Sequence, residues 1–115
     1  MQVAQGGHPY TLIHADELRR RLELGEPFTV VDARSDENRR ESGRTIAGAL
    51  HIPASELVQR IPELPRGRTI LLLADLAEQA ERAQELTRAG VTDVYVIEGG
   101  FEAFARAGGD TVPIS

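Results

Sequence analysis

Thr69-Ile70-Leu71-Leu72-Leu73-Ala74-Asp75-Leu76-Ala77-Glu78 is the stretch whose reading decides the fold. Its first half is almost continuously apolar, the pattern of a parallel strand buried on both faces. Its second half turns polar and leads into the clearest helical periodicity in the chain, residues 76–89. There Leu76, Ala80, Ala83 and Leu86 or Thr87 fall on one stripe, and Glu78, Glu81, Arg82, Glu85 and Arg88 face away. Gly90 closes the helix. Working outward, residues 28–32, 49–52, 94–97 and 10–14 read as further strands, the third of them followed by the turn Glu98-Gly99-Gly100. Residues 15–24, 35–42, 56–61 and 101–107 read as helices between or after them. Strands that alternate with helices and are mostly apolar throughout predict a single α/β domain of three layers, a parallel sheet with helices on both faces. In such sheets a ligand binds beyond the carboxyl ends of the strands, so the positions to inspect follow Asp32, Ile52, Leu73 and Ile97.

Local signals support these boundaries. Gly25 stops the first helix, and His14 is placed to cap its start. Glu17 with Arg21 and Arg19 with Glu23 are i,i+4 pairs on its exposed side. Ser55 fits an N-cap for residues 56–61, which Pro62 ends. Asp75-Leu76-Ala77-Glu78 fits a capping box with Asp in the place of Ser or Thr: Asp75 would accept from a first-turn N–H and Glu78 would reach back to the N-cap N–H.

Composition removes whole classes of chemistry. The 115 residues include no cysteine, which excludes disulfides, thiolate metal sites and thiol catalysis. All 13 basic residues are arginine, which excludes Schiff-base and amine-nucleophile chemistry. A net charge of −5 disfavours nucleic acid as a partner, because phosphate binding draws on clustered Lys and Arg. The longest apolar run, residues 70–74, falls far short of the ~20 residues that span a membrane. Residues 1–7 have neither the basic region nor the apolar core of a signal peptide, so a cytoplasmic location is the expectation. Residues 1–9 are expected to be a flexible segment and residues 10–115 the folded domain.

Four segments together resemble the rhodanese-like family: Val30-Val31-Asp32-Ala33-Arg34; Ile46-Ala47-Gly48-Ala49-Leu50-His51-Ile52-Pro53; the strand Thr69–Leu73 with its long helix and Ala89-Gly90; and Val94-Tyr95-Val96-Ile97-Glu98-Gly99-Gly100-Phe101. The resemblance runs over roughly residues 10 to 107 and implies a five-stranded parallel sheet. It marks Asp32, Arg34, Gly48, Gly99 and Gly100 as motif residues, with Asp32 organising its turn through hydrogen bonds. It also implies, in active members, a cysteine opening a C-x-x-G-x-R loop after the third of these segments' strands. That cysteine carries sulfur as a persulfide, and backbone N–H groups of the loop cradle the transferred anion. The equivalent position here is Leu73 or Ala74, one residue apart in register, and neither is a nucleophile. The loop glycine and arginine are missing as well, since no glycine lies between Gly67 and Gly90.

The loop residues Leu73, Ala74, Asp75, Leu76, Ala77 and Glu78 are therefore the candidate site, and their chemistry opposes anions. A helix N-terminus ordinarily attracts negative charge. Two carboxylates filling it would repel thiosulfate by about 1 kcal/mol per charge pair at ~4 Å in water, and by about 4 kcal/mol at an effective dielectric near 20. Asp75 and Glu78 are expected either to cap the helix or to form an acidic mouth for a cation. The other candidates read as structural. Arg34, with Asp36 or Glu41 nearby, is expected in a surface ion-pair set. His8, His14 and His51 lack metal-ligand spacing, and no serine follows Leu73 or Ile97 to serve a triad. Gly99-Gly100 suits a tight turn, and Phe101 and Phe104 suit packing on the sheet. The leading expectation is a catalytically inactive rhodanese-like domain with a binding or regulatory role, needing no cofactor or metal. Its partner is left open among another protein, a small molecule and a second copy. The alternatives are an enzyme using Asp32, Asp75 and Glu78 with or without Mg²⁺ or Mn²⁺, and a thiosulfate sulfurtransferase by family whose activity is lost.

Overall fold

The computed structural model describes residues 10–114. The expected flexible segment 1–9, with His8, lies outside the described residues. Five strands, β1 (Thr11–Ile13), β2 (Phe28–Asp32), β4 (Leu50–His51), β5 (Thr69–Leu73) and β6 (Val94–Ile97), form one parallel sheet in the order β1-β6-β5-β2-β4. Helices α1 (Ala15–Glu23), α2 (Asp36–Ser42), α3 (Gln79–Arg88) and α4 (Gly100–Arg106) connect or follow them.

The apolar run of β5 explains the layering. Successive side chains of a strand point to opposite faces. Ile70 and Leu72 join Val31, Val94 and Val96 beneath Ala83 and Leu86 of α3, while Leu71 and Leu73 join Val30 and Ile97 beneath Leu18 of α1 and the two phenylalanines of α4. Both faces are covered, so neither can be polar. At about 25 cal/mol per Å² of apolar surface removed from water, these two clusters are the main favourable contribution to folding.

Helix α1 ends as read: Gly25 has φ +84° and donates to Leu22 O at 3.0 Å, while Glu26 N donates to Arg21 O at 3.0 Å. His14 caps its start, Nδ1 accepting from Asp16 N at 3.2 Å. Two expectations are corrected. Helix α3 begins at Gln79 rather than Leu76, and its buried stripe is Gln79, Ala83 and Leu86, leaving Leu76 and Ala80 exposed. The segment read as a helix over 56–61 is instead two 3-10 turns, Ala54–Glu56 and Ile61–Glu63, with Pro53 at the first cap position and no side-chain cap from Ser55. A second sheet of two short antiparallel strands, β3 (Arg44–Thr45) and β7 (Val112–Pro113), was not foreseen. Arg44 fastens it, donating from Nε to Thr111 Oγ1 at 2.6 Å and from a terminal nitrogen to Thr111 O at 2.7 Å. Among the described residues no helix is long and apolar enough to cross a membrane.

Candidate functional site

Strands β2 and β5 are neighbours, and Asp32 stands in register with Leu73. Two loops therefore leave the same end of the sheet side by side. The first is a charged corner. Asp32 is 1% exposed and Arg34 5% exposed. Arg34 Nε donates to Asp32 Oδ1 at 2.9 Å and Nη2 donates to Oδ2 at 2.7 Å, a bidentate fork. Arg34 Nη2 also donates to Arg44 O at 2.8 Å and Nη1 to Ser42 Oγ at 3.1 Å. The Thr45 hydroxyl donates to Asp32 Oδ2 at 2.9 Å, and Arg39 Nε reaches the same oxygen at 3.4 Å. The Arg34 guanidinium carbon lies 4.4 Å from the centre of the Phe101 ring.

This corrects the surface ion-pair expectation: Arg34 is buried, and its partner is Asp32, not Asp36 or Glu41. Burial pushes the Asp32 carboxyl up, but the hydrogen bonds and charge of Arg34, with the Thr45 hydroxyl, outweigh it and hold the group below its ordinary value. Four of the five guanidinium N–H groups of Arg34 are thereby engaged. Little of this cation is left for a ligand.

The second loop follows β5. Leu73 and Ala74 are buried, Asp75 is partly buried, and Leu76, Ala77 and Glu78 are exposed. The capping box is not formed. Glu78 occupies the cap position without a side-chain hydrogen bond, and its N–H donates to Asp75 O at 2.8 Å, closing a separate turn ahead of the helix. The Asp75 carboxylate turns the other way: Oδ1 accepts from Ser35 N at 2.9 Å. Ser35 is itself the N-cap of α2, its Oγ accepting from Asn38 N at 3.2 Å. One residue thus joins the exits of β2 and β5, through its backbone to one loop and its side chain to the other.

Leu76 lies over the third exit. Gly99 and Gly100 have φ of +81° and +75°, which a residue with a Cβ rarely adopts. A Cβ on Gly100 would stand 3.4 Å from Leu76 Cδ1, and one on Gly99 would stand 2.9 Å from Ala103 Cβ. The pair makes the tight turn read from sequence and lets one methyl of Leu76 approach it, the rest of that side chain staying exposed. Behind it, Gln79 Nε2 donates to Ile97 O at 3.0 Å and pins the start of α3 to the end of β6. Sequence reasoning missed Gln79; the signal was a polar residue on the buried stripe once the helix start moves by three.

The result is a cleft of roughly 410 Å³ floored by Arg34 and Phe101 and walled by Asn38, Asp75, Leu76 and Gly100. Of the motif residues, Arg34, Gly99 and Gly100 line it; Asp32 lies behind Arg34; Gly48 does not line it and serves the β3–β4 turn at φ +81°. His51 is exposed on edge strand β4. Asp32, Asp75 and Glu78 do not converge, and among the described residues no three carboxylates or imidazoles are grouped to hold a metal ion.

A model of the rhodanese-like domain matches residues 14–107. The crystal structure of the Alr3790 protein from Anabaena sp. is 35% identical, with 89% of this chain and 82% of that one covered, at a TM-score of 0.74. A solution structure of the rhodanese-like domain of the same protein is 31% identical over 90% of this chain and 79% of that one, at 0.77. A rhodanese-related protein from Thermoplasma volcanium, 24% identical over 90% and 98% at 0.72, shares the fold. Comparison with curated proteins finds no match.

Proposed function

The chain belongs to the rhodanese-like domain family, and on that premise we propose that it is a member without sulfur-transfer activity, a binding or regulatory module that works through the face at the carboxyl ends of its strands. The observation that carries the reading is the lack of any cysteine in the 115 residues. Sulfur transfer through a persulfide needs a thiolate that attacks the sulfane sulfur and is later attacked in turn. Leu73 and Ala74, where such a group would stand, offer only C–H bonds and are buried.

The surroundings point the same way. Asp75 lines the cleft and adds a carboxylate that repels an approaching anion. Leu76 covers the adjoining turn, and the nearest buried cation is engaged with Asp32, Ser42 and Arg44. What remains is a small cleft with Leu76 set among the exposed charges of Glu41, Glu102 and Arg106, suited to contact rather than covalent chemistry. Incubation with thiosulfate and cyanide tests the reading. The expected result is thiocyanate at the level of a heat-treated control; formation above that level, proportional to protein, overturns it.

A further inference from the structure

The two ends of the sheet differ in charge and in shape. At the carboxyl end, Asp75, Glu78, Glu98 and Glu102 follow β5 and β6, and among the described residues none of the four is in an ion pair; Arg106, exposed in the same cleft, offsets only part of their charge. Leu76 protrudes among them, 60% exposed. At the amino end, a groove of roughly 390 Å³ has Ile61, Pro62, Pro65 and Val91 as apolar lining, with Arg66 and Arg68 on its lip. Both arginines are exposed and, among the described residues, neither pairs with a carboxylate. Of the carboxylates at this end, Glu63 pairs with Arg60, and Asp93 accepts from the Thr69 hydroxyl at 2.6 Å.

We propose that this groove receives the Leu76 loop of a second copy of the chain, in a head-to-tail contact. The loop offers what the groove asks for, an exposed aliphatic side chain flanked by carboxylates: Glu78, exposed and without a side-chain cap bond, and Asp75, whose Oδ1 accepts from Ser35 N while Oδ2 has no side-chain partner, for Arg66 and Arg68. Leu24 is the other exposed leucine set between carboxylates, but Glu23 and Glu26 are already paired with Arg19 and Arg21. At a net charge of −5 two copies repel at long range, and the arginine lip of one against the acidic pole of the other is an approach along which local attraction opposes that repulsion. The groove is stiff, built on two prolines and a 3-10 turn, so little ordering is lost on docking. Because the two surfaces are different, the contact is heterologous and repeats from copy to copy, into a ring or a filament.

The inference rests on the reading of the β5 face as a docking surface, and its test is independent of the thiocyanate assay. Sedimentation of the wild-type protein at low salt is expected to show species above the 12.6 kDa monomer that grow with concentration and dissociate at about 1 M NaCl, where the Debye length is near 3 Å. Leu76→Glu and the double variant Arg66→Glu/Arg68→Glu, all exposed positions, are each expected to weaken association by roughly tenfold or more while melting like the parent. Mixed in equal amounts, the two variants restore one intact loop and one intact groove, and a dimer that grows no further is expected. A wild-type monomer at every concentration, a mixture that stays monomeric, or a double variant that associates unchanged would each overturn the contact, and none of these outcomes bears on sulfur transfer.

Discussion

At the exit of β2 two guanidinium groups and a hydroxyl converge on one carboxylate, nearly all out of solvent; at the exit of β5, one strand away, a single side-chain hydrogen bond, from Ser35 N to Asp75, ties the neighbouring loop to a stretch whose side chains from Leu76 to Glu78 face water. The two exits share a register and a helix cap, yet one is built for stability and the other is held lightly. The Asp32 corner depends on charges that satisfy each other. The β5 loop has no thiol, no internal glycine and no free cation.

The sharpest way to break that comparison is to disarm the corner. Asp32→Asn keeps the shape but leaves the buried Arg34 guanidinium without a counter-charge, and a loss of about 3–5 kcal/mol in urea unfolding is expected. The same measurement on Leu76→Ala should stay within about 0.5 kcal/mol, as for other exposed positions. Acid should act through the corner too. The Asp32 carboxyl is held below its ordinary value, so its contribution is present above the unfolded pKa near 4 and is lost as the pH falls through the lower folded value. In the Asn variant that part of the acid-induced loss should vanish. A variant that costs under 1 kcal/mol, with an unchanged acid limb, would mean the two exits are alike.

Gly99 extends the comparison to the third exit, after β6. Its φ of +81° strains any residue with a Cβ, and an added methyl would meet Ala103 Cβ at 2.9 Å. Gly99→Ala is expected to cost about 1–3 kcal/mol, between the corner and the β5 loop. Thermal denaturation checks it, and a neutral result would show that α4 can shift without loss.

The sheet was legible because its signal is local and redundant. Ile70–Leu73 has to be apolar on alternate residues for two different clusters, so the run appears unbroken in sequence. The family motifs placed Asp32, Arg34, Gly99 and Gly100 at the correct strand ends. What failed was partner choice. Asp75 and Glu78 have the spacing of a capping box, but the N–H that takes the Asp75 carboxylate belongs to a residue forty positions away. Arg34 has Asp36 and Glu41 near it in sequence, yet packing on Phe101 from the far end of the chain and the fork to Asp32 draw it inward. Strands β3 and β7, two residues each, carry no periodicity to detect.

The smallest effect is the most telling about the β5 loop. Asp75→Ala removes the acceptor for Ser35 N, but the loop is open enough for water to replace it, so about 1 kcal/mol or less is expected. Asp75→Asn keeps an acceptor oxygen and should be nearer neutral. Amide hydrogen exchange at Ser35 separates this from a global effect: its protection should fall in the Ala variant, while the amides of β2 and β5 keep theirs. If Asp75→Ala instead cost as much as Asp32→Asn and released both strands together, the bond between the exits would be a structural tie of the same rank as the buried fork. The loop would then be held for the fold and not for a partner, and the contrast between the two exits would fail at its weaker end.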